Sequence, residues 1–315
     1  MSGTSLDGID LAYLNFHKNE HWTYKILTSE TVPYPEDWQK ALSEALLYND
    51  LRLQDFNEKY TTYLAEVIFD FLRKHDIKDL DADCSHGHTI KHEPENAFTL
   101  QIGNLPKLAK MLGQTVVCDF RVQDVQLGGQ GAPLVPIGDE LLFPEYDYCL
   151  NLGGFANIST VKKGIRMAYD ICAVNTVLNF LSAKLNLPYD KNGDIAASGN
   201  LNEALLQKLN NISFYKEKPP KSLGIEWVNR NILPLFGNTE NIPSALHTYT
   251  VHAAGQIAEE LKGNSSARVL VTGGGAFNGF LISEIRKRTK VKVEIPSEEV
   301  VNFKEALIFG FLCVL

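Results

Sequence analysis

Three glycine-rich turns hold most of the residues in this sequence whose chemistry suits an anion. They lie at 2–10 (SGTSLDGID), 151–159 (NLGGFANIS) and 273–278 (GGGAFN). Glycine allows a positive φ and a close approach of the backbone to phosphate oxygens, and hydroxyl groups can donate hydrogen bonds to them. Asp7 and Asp10 repel phosphate, so Mg²⁺ or water would have to lie between. The alternative for the first turn is a simple polar hairpin turn.

The second and third turns lie at the ends of apolar strands. The turn at 151–159 runs from one strand into another, as the first turn does, so two such hairpins could close on one phosphate chain. The turn at 273–278 joins a strand to a helix, where backbone amides and the helix dipole favour phosphate or ribose. Neither the G-x-G-x-x-G spacing of dinucleotide sites nor the Gly-Lys-Ser/Thr of a P-loop is present. Together the turns indicate a nucleotide held between two halves of the chain.

Asp119 is a candidate general base. It follows the predicted strand at 115–118 and precedes the loop at 128–133 (GGQGAP), so its carboxylate lies at a strand end beside a glycine-rich loop. Phosphoryl transfer requires mainly positioning, a metal and such a base. Arg121 would neutralise phosphate or hold a sugar hydroxyl. The alternative is a local ion pair, or an Asp turn cap.

Three histidines follow the pattern H-x-H-x₃-H at His86, His88 and His92. No second cluster accompanies them, so the pattern is weak evidence for zinc. Polar contacts to a sugar, or a plain turn at a strand end, are the favoured interpretations.

Several other polar residues follow strands or open helices. Asp170 and Asn175 flank a strand-to-helix turn, where they would reach metal, water or sugar, or cap the helix. Asp190 and Asp194 resemble part of an EF-hand loop, but no bidentate Glu follows at the right place, which argues against calcium. Glu305 opens the predicted last helix, where it either faces a cleft or favours the helix N-terminus.

Hydrophobic periodicity predicts an alternation of strands and helices that occurs twice, before and after about residue 117. Strands are predicted at 9–16, 24–34, 98–102, 115–118, 146–152, 158–161, 268–272 and 291–295, and helices at 41–47, 53–72, 105–112, 174–185, 201–209, 244–261, 277–288 and 303–315. Because no flexible linker separates the halves, we expect them to pack together around a cleft, a favoured place for ligands.

Composition restricts the partners. The 315 residues carry a net charge of −8 and no basic stripe, which excludes nucleic acid as an expected partner. Five cysteines without a C-x-x-C pair suit free thiols in a reducing compartment. No membrane span or signal peptide is predicted, so we expect a cytoplasmic protein.

The order of the motifs resembles that of the anhydro-N-acetylmuramic acid kinases. The matching segments are MSGTSLDGID (1–10), SHGHT (85–89), TLQIG (99–103), DFRVQDVQLGGQGAPLVP (119–136), LNLGGFANIS (150–159), DKNGDIAASG (190–199), PKSLG (220–224), VTGGGAFN (271–278) and EALIFGFL (305–312). The resemblance spans nearly the whole chain.

The resemblance implies a fold and a reaction. The fold is α/β and actin-like, with two RNase H-like domains around an interdomain cleft: 1–117, with the helix at 303–315 as a candidate addition, and 118–302. The implied enzyme uses ATP and Mg²⁺ to open 1,6-anhydro-N-acetylmuramic acid with water and to phosphorylate O6, in the recycling of cell-wall sugars. A homodimer is a candidate assembly.

The resemblance also implies roles for individual residues. Asp119 matches the catalytic Asp that takes the proton of the water, and Asp7 is the candidate metal ligand. The predicted nucleotide-binding residues are Gly3, Thr4, Ser5, Leu6, Asp7, Gly8, Ile9, Asp10, Gly153, Gly154, Asn157, Gly273, Gly274, Gly275 and Asn278. The predicted sugar-binding residues are His86, Arg121, Gln130, Gly131, Asp170, Asn175 and Glu305.

The sequence also departs from the family pattern. Family members begin with half a strand before Met1, so the first hairpin is expected to lack its first strand, and they continue past the last helix. His88 stands where Gln is usual, and ICAVN at 171–175 replaces a Gly-Pro-Gly-Asn turn. Two alternatives therefore stay open: a non-catalytic or weakly active relative that binds sugar or nucleotide, and a kinase for a different sugar.

Overall fold

The chain is described here by a computed structural model covering residues 1–3, 6–237 and 239–315, without the side chain of Pro94. The strands are β1 Gly8–Lys18, β2 Trp22–Pro33, β3 Asp83–Ser85, β4 His88–Glu93, β5 Phe98–Ile102, β6 Val116–Cys118, β7 Tyr148–Leu152, β8 Phe155–Lys162, β9 Ile165–Ala173, β10 Arg268–Thr272 and β11 Lys292–Glu294. The helices are α1 Glu36–Glu44, α2 Asp50–Lys74, α3 Lys107–Leu112, α4 Phe120–Gln126, α5 Val135–Leu142, α6 Asn175–Ala183, α7 Asp194–Ser198, α8 Glu203–Asn210, α9 Ile225–Asn231, α10 Ile242–Glu260, α11 Gly279–Arg288 and α12 Glu298–Val314.

The chain forms two compact units. Unit 1 comprises Met1–Leu142 and Phe303–Leu315, and unit 2 comprises Phe143–Asn302. The sequence placed 118–142 in the second domain, but these residues belong to unit 1, where α4 contacts β5 and α5 contacts β2. Periodicity predicted neither α4 nor α5, and it carries no information about which core such elements join.

Unit 1 is built on the predicted hairpin. β1 and β2 pair antiparallel, and α2 buries one face against the unit's core through Phe56, Tyr60, Leu64 and Ile68, a spacing of four residues. Asn49 caps α2, because its side chain accepts a hydrogen bond from the Arg52 amide at 2.9 Å. The short pairs β3–β6 and β4–β5 complete the strands of this unit and place residues 85–88 and 118–121 at adjoining strand ends.

Unit 2 contains one five-stranded sheet in the order β11-β10-β7-β8-β9. β7, β8 and β9 form an antiparallel meander, whereas β10 lies parallel to β7 and β11 lies parallel to β10. In an RNase H-like sheet, the first three strands form an antiparallel meander. The later strands lie on the other side of the first strand and run parallel to it. The predicted fold class is therefore confirmed in the topology of this unit. Its core includes fully buried side chains from β7, α6, α10 and α11, among them Leu152, Leu181, Tyr249 and Ile285.

The last helix is longer than predicted. α12 begins at Glu298 rather than at residue 303, with Glu298 and Glu299 in its first turn, where acidic side chains suit the helix dipole. Glu305 thus lies inside the helix, and the interpretation that it stabilises the helix N-terminus is wrong. α12 packs closely on α5, because Gly138 of α5 leaves room for the branched side chain of Ile308.

A cavity of about 550 Å³ lies in unit 1 beside β1. Every residue from Ile9 to Phe16 lines it, together with 79–87 and parts of α2 and α12, as expected for a strand exposed along its edge. Within the described residues, β1 pairs along its length with β2 alone and β3 with β6 alone. At the mouth of the cavity, the Met1 and Asp10 backbones exchange hydrogen bonds at 2.7 and 2.8 Å, and Ser2 bridges Ile9. An extended chain reaching Met1 from the cavity would continue this antiparallel ladder.

No helix within the described parts of the chain combines the length and the apolar character needed to cross a membrane.

The close packing of α5 on α12 predicts the effect of one methyl group. A Cβ at residue 138 would lie 2.5 Å from Cγ1 of Ile308, so Gly138→Ala is expected to lower the free energy of unfolding by about 1–3 kcal/mol. Gly255→Ala in α10 is the matched control, since no atom lies within 4 Å of its Cβ, and alanine there favours the helix by up to about 1 kcal/mol. Urea denaturation measures both; equal effects of the two variants would contradict the packing.

The open edge of β1 predicts the effect of an added segment. Six residues of alternating apolar character, fused before Met1, are expected to pair with β1 and β3 and to raise the melting temperature by about 3 °C or more. Cys84 and Cys313 line the cavity, so their reaction with a maleimide should slow in the fusion, while the buried Cys149 and Cys172 serve as internal controls. A Gly-Ser fusion of the same length is the control variant; an equal effect from it would show that the cavity does not bind a strand.

Candidate active site

Asp119 lies where β6 meets α4. It occupies the N-cap position of α4, with a left-handed backbone at φ 62° and ψ 28°, and its side chain makes no capping hydrogen bond. Instead, Asn104 Nδ2 donates to Asp119 Oδ1 at 3.0 Å. The side chain of Asp119 is therefore neither a helix cap nor part of a local ion pair with Arg121. It does not cap α4, and Arg121 donates its hydrogen bonds to other groups. The carboxylate is half-buried, as a general base requires.

Arg121 is held from two sides within unit 1. Its Nε donates to His86 Nε2 at 2.7 Å, and its Nη1 donates to the carbonyl of Gly131 at 2.8 Å. Burial, and then the charge of Arg121, lower the pKa of His86 to about 3, so this imidazole is neutral at pH 7. Its Nδ1–H donates to the carbonyl of Gly87 at 2.9 Å, which leaves Nε2 as the acceptor for Arg121.

Glu305 faces the same group of residues. The side chain reaches solvent, yet desolvation by the surrounding protein raises its pKa, and the charges of Arg121 and Lys304 oppose the shift. Desolvation likewise lowers the pKa of Arg121, and the charge of Glu305 opposes that change. Unit 1 therefore brings together His86, Arg121, Gly131 and Glu305, four of the seven predicted sugar-binding residues.

The glycine-rich loop at 128–133 is organised by Asp124. Its Oδ2 accepts a hydrogen bond from the Gly131 amide at 2.7 Å, and a Cβ at residue 129 would collide with the same carboxylate. A side chain at position 129 would therefore displace the Asp124 carboxylate, which holds the Gly131 amide. Gln130, between them, is exposed to solvent.

The first turn places two carboxylates together. Asp7 is exposed, and its charge raises the pKa of Asp10, although desolvation is the larger cause of that shift. Asp10 Oδ1 accepts a hydrogen bond from Thr31 at 2.6 Å. Mg²⁺ binds one or two carboxylates together with water and phosphate oxygens, so this donor set fits it.

The other residues of the first turn are partly described. Thr4 and Ser5 lie outside the described residues. The Leu6 amide donates to the Gly3 carbonyl at 3.3 Å, and Gly8 begins β1. The Ile9 side chain is fully buried in the core, so it can reach phosphate only through its backbone.

The three histidines have separate partners. His88 Nδ1 bonds Ser2 Oγ at 2.8 Å, His92 Nδ1 bonds Thr99 Oγ1 at 3.1 Å, and His86 bonds Arg121. Over the described residues, no group of three or more His, Cys, Asp or Glu side chains is arranged to hold a metal ion.

Unit 2 contains a cavity of about 450 Å³ near the third glycine turn. It is lined by Asn175, Leu178, Asn179, Tyr189, Asp190, Lys191, Asn192, Gly274, Phe277 and Asn278. Two aromatic rings are accessible there, with Tyr189 56% and Phe277 46% exposed. Asn278 caps α11 by accepting from the Leu281 amide at 2.9 Å, so the junction at 273–278 holds a short 3₁₀ turn before the helix.

The carbonyl groups of Gly153 and Gly154 in the β7–β8 turn have partners within unit 2, while the contact of this turn with nucleotide stays a prediction. The Gly154 carbonyl accepts from the amides of Val174 at 2.7 Å and Thr176 at 3.2 Å, and the Gly153 carbonyl accepts from Asn175 at 3.3 Å. These carbonyls therefore anchor the start of α6. Asn157 lies within β8, in register with Asn151 and Asp170.

Asp170 and Asn175 have separate surroundings. Asp170 accepts from the Leu223 amide at 2.8 Å and from Ser222 Oγ at 3.3 Å, so it binds the segment at 221–223 and does not cap α6. Asn175 donates to the Leu152 carbonyl at 3.2 Å and lines the cavity with Gly274. Asp190 accepts from the amides of Ile195 and Ala196, which assigns it to the start of α7 rather than to calcium.

Sequence reasoning missed Asn104, Asp124, Asn179, Tyr189 and Phe277. Asn104 and Asp124 carry no motif signal of their own, because an amide and a carboxylate on loops are common polar residues. Tyr189 directly precedes the DKNG motif and Phe277 lies within GGGAFN. An aromatic residue in or beside each motif was therefore the signal that could have indicated the cavity.

Known proteins resemble this chain over its whole length. A family model described as anhydro-N-acetylmuramic acid kinase matches residues 1–315. A relative of that name from Actinobacillus pleuropneumoniae is 33% identical over 333 residues, which cover 99% of this chain and 89% of the relative. Another from Pseudomonas savastanoi pv. phaseolicola is 34% identical over 334 residues, 99% of this chain and 90% of the relative.

Solved structures show more distant likenesses. The hexokinase from Schistosoma mansoni complexed with glucose has 11% identity and a TM-score of 0.40, over 98% of this chain and 84% of that one. The activator of the 2-hydroxyisocaproyl-CoA dehydratase from Clostridium difficile with bound ADPNP has 13% identity and a TM-score of 0.37, over 68% and 84%. Because the family match spans the whole chain and a relative at 33% identity covers 99% of it, the chain belongs to the anhydro-N-acetylmuramic acid kinase family.

Proposed function

We propose that the chain is an ATP-dependent kinase that opens 1,6-anhydro-N-acetylmuramic acid with water and phosphorylates the sugar at O6. The observation that carries the proposal is Asp119, whose side chain is turned away from capping α4 and oriented by Asn104. A carboxylate held in this way beside Arg121 and a glycine-rich loop suits a base in a hydrolytic phosphoryl transfer. Membership of the family supplies the reaction that these residues would serve.

The proposed reaction balances as follows. Asp119 takes a proton from water as the water oxygen bonds to C1 of the sugar. The bond between C1 and O6 breaks, its electron pair stays on O6, and O6 takes the γ-phosphoryl group of ATP. The products are N-acetylmuramic acid 6-phosphate, ADP and, after Asp119 releases its proton, H⁺. One base therefore serves both bond changes.

Arg121 and Glu305 suit the sugar. Arg121 keeps its guanidinium fixed by His86 and Gly131, so it can present a donor to a hydroxyl or a developing negative charge without reorganisation. Glu305 lies beside it with a carboxyl group that is costly to ionise, which favours hydrogen bonding to sugar hydroxyls.

Each unit offers candidate residues for binding nucleotide. The cavity of unit 2 offers Phe277 and Tyr189 to a purine ring and Asn179 and Asn278 to its polar edge or ribose. The turn at 3–10 would bind phosphate through its backbone. Asp7, with Asp10 nearby, would hold Mg²⁺, which when bound neutralises charge on the phosphates. The cytoplasmic location and the homodimer stay predictions.

Turnover tests the proposed reaction. ADP release from ATP and Mg²⁺ should require 1,6-anhydro-N-acetylmuramic acid, and Asp119→Asn should lower kcat by roughly 10²–10⁴, as usual for loss of a general base. In H₂¹⁸O, mass spectrometry should place the label at C1 of the product and none on the phosphate. Asp55→Asn is the control, since this exposed carboxylate pairs only with Lys59 on the surface of α2.

Three outcomes would contradict this function. Label on the phosphate would mean ATP hydrolysis instead of sugar phosphorylation. Turnover with other sugars alone would support a kinase of another specificity. Absence of turnover, from protein that binds nucleotide and unfolds cooperatively, would support a binding protein.

The cavity of unit 2 predicts a loss of nucleotide affinity. Phe277→Ala removes an accessible ring from its wall and is expected to weaken ADP binding about 5- to 30-fold, since stacking of an aromatic ring contributes about 1–2 kcal/mol. Titration calorimetry measures the dissociation constant. Phe69→Ala on α2 is the matched control, because Phe69 is 55% exposed and lies outside both cavities. Equal affinities of the two variants would remove this cavity from the nucleotide site.

A further inference from the structure

A chain of hydrogen bonds leads from β3 to the carboxylate of Asp119. The Gly87 amide donates to Ser85 Oγ at 3.2 Å, and Ser85 Oγ donates to Asn104 Oδ1 at 2.8 Å. Asn104 Nδ2 then donates to Asp119 Oδ1 at 3.0 Å. Each group in the chain donates in the same direction, toward Asp119.

The direction of this chain determines which way the Asn104 amide faces. Ser85 Oγ already accepts a hydrogen from the Gly87 amide, so its own proton is available for the carbonyl oxygen of Asn104. With the amide turned over, its oxygen would face the carboxylate oxygen of Asp119, and two acceptors would repel each other. Ser85 is 5% exposed, so water does not easily replace this contact.

The backbone beside Asn104 is fixed from a third element. Asn57 of α2 accepts a hydrogen bond from the Gly103 amide through Oδ1 at 2.8 Å, directly before Asn104. The residue is thus held by α2 through its neighbour and by β3 through Ser85. The backbone beside Asn104 and the side chain of Asn104 are therefore both fixed where the amide contacts Asp119.

We propose that Asn104 is a positioning residue that holds Asp119 in the orientation needed for proton abstraction. Its N–H occupies Oδ1, so Oδ2 is the oxygen that meets the reacting water. An amide has no proton to release at neutral pH, so Asn104 orients the carboxylate without competing for its proton. This inference rests on the proposed function, in which Asp119 is the base.

Steady-state kinetics of three variants test the inference. Asn104→Ala is expected to lower kcat about 10- to 100-fold, since small displacements of a reacting group cost this much, with KM for ATP and sugar changed less than about threefold. Ser85→Ala, which frees the amide to turn over, should cost about 3- to 10-fold. Asn49→Ala is the matched control: it removes an exposed helix cap in the same unit, costs about 1 kcal/mol of stability, and should leave kcat unchanged.

The decisive measurement is a double-mutant cycle. If Asn104 acts through Asp119, then Asn104→Ala adds no more than about a threefold loss on top of Asp119→Asn. Losses that multiply would show that Asn104 acts on folding or on another group, and would overturn the inference. Full kcat in a folded Asn104→Ala, with Asp119→Asn inactive, would overturn it while leaving the proposed function intact.

The remaining outcomes are also informative. Full activity of Asp119→Asn would overturn both the proposed base and its positioning by Asn104. If Asn104→Ala shows no cooperative thermal transition, the cycle is run with Ser85→Ala and Asp119→Asn, and the same comparison of losses decides.

Discussion

The guanidinium group of Arg121 is a charge withdrawn from bulk water, and the candidate site of unit 1 depends on keeping its hydrogen bonds satisfied. Its partners come from distant parts of the sequence: His86 after β3, Gly131 in the glycine-rich loop, and α12, whose Phe309 ring lies 5.5 Å from the guanidinium carbon. An unpaired buried cation is costly, so these three segments are held together. Asp119 lies two residues before Arg121, and the same bonds therefore fix the first turn of α4.

Four ionisable groups of unit 1 have pKa values shifted mainly by desolvation. Burial raises the pKa of Glu305 and of Asp10, and lowers those of His86 and Arg121. Such shifts concentrate where proteins bind ligands or perform chemistry, because partly dehydrated groups interact strongly with whatever replaces water. Carboxyl groups in this state favour the approach of a cation or of a hydrogen-bond donor such as a sugar hydroxyl.

Similar glycine turns have different functions in this chain. At 153–154, the carbonyl oxygens bind the first amides of α6, so the turn serves to connect β7 with the helix. At 273–275, the turn borders a cavity together with residues of α6 and of 189–192. Both turns are rich in glycine and contain Phe, Ala and Asn. The difference arises because β8 follows the first turn at once, whereas the second turn leads into α11.

Sequence patterns were sufficient for most of the longer elements. Periodicity located the β1–β2 hairpin, α2 and four of the five strands of unit 2, since local propensity and side-chain alternation act within a few residues; β9 at Ile165–Ala173 was not predicted. The motifs around Asp119, Arg121 and the glycine turns were recognisable because chemistry that depends on glycine and charge leaves short, dense signatures. The order of these motifs was also sufficient to indicate the family.

Long-range packing decided the rest. Residues 118–142 join unit 1, and α12 starts at Glu298, because side chains far apart in the chain, such as Gly138 and Ile308, fit each other. The contact between Asn104 and Asp119 depends on the close approach of the ends of β5 and β6, and Asn104 has no neighbour in the sequence that marks it. The sequence by itself therefore determined which groups could do chemistry, whereas only the tertiary structure decided which of them meet, because hydrogen-bond partners are set by distance in space.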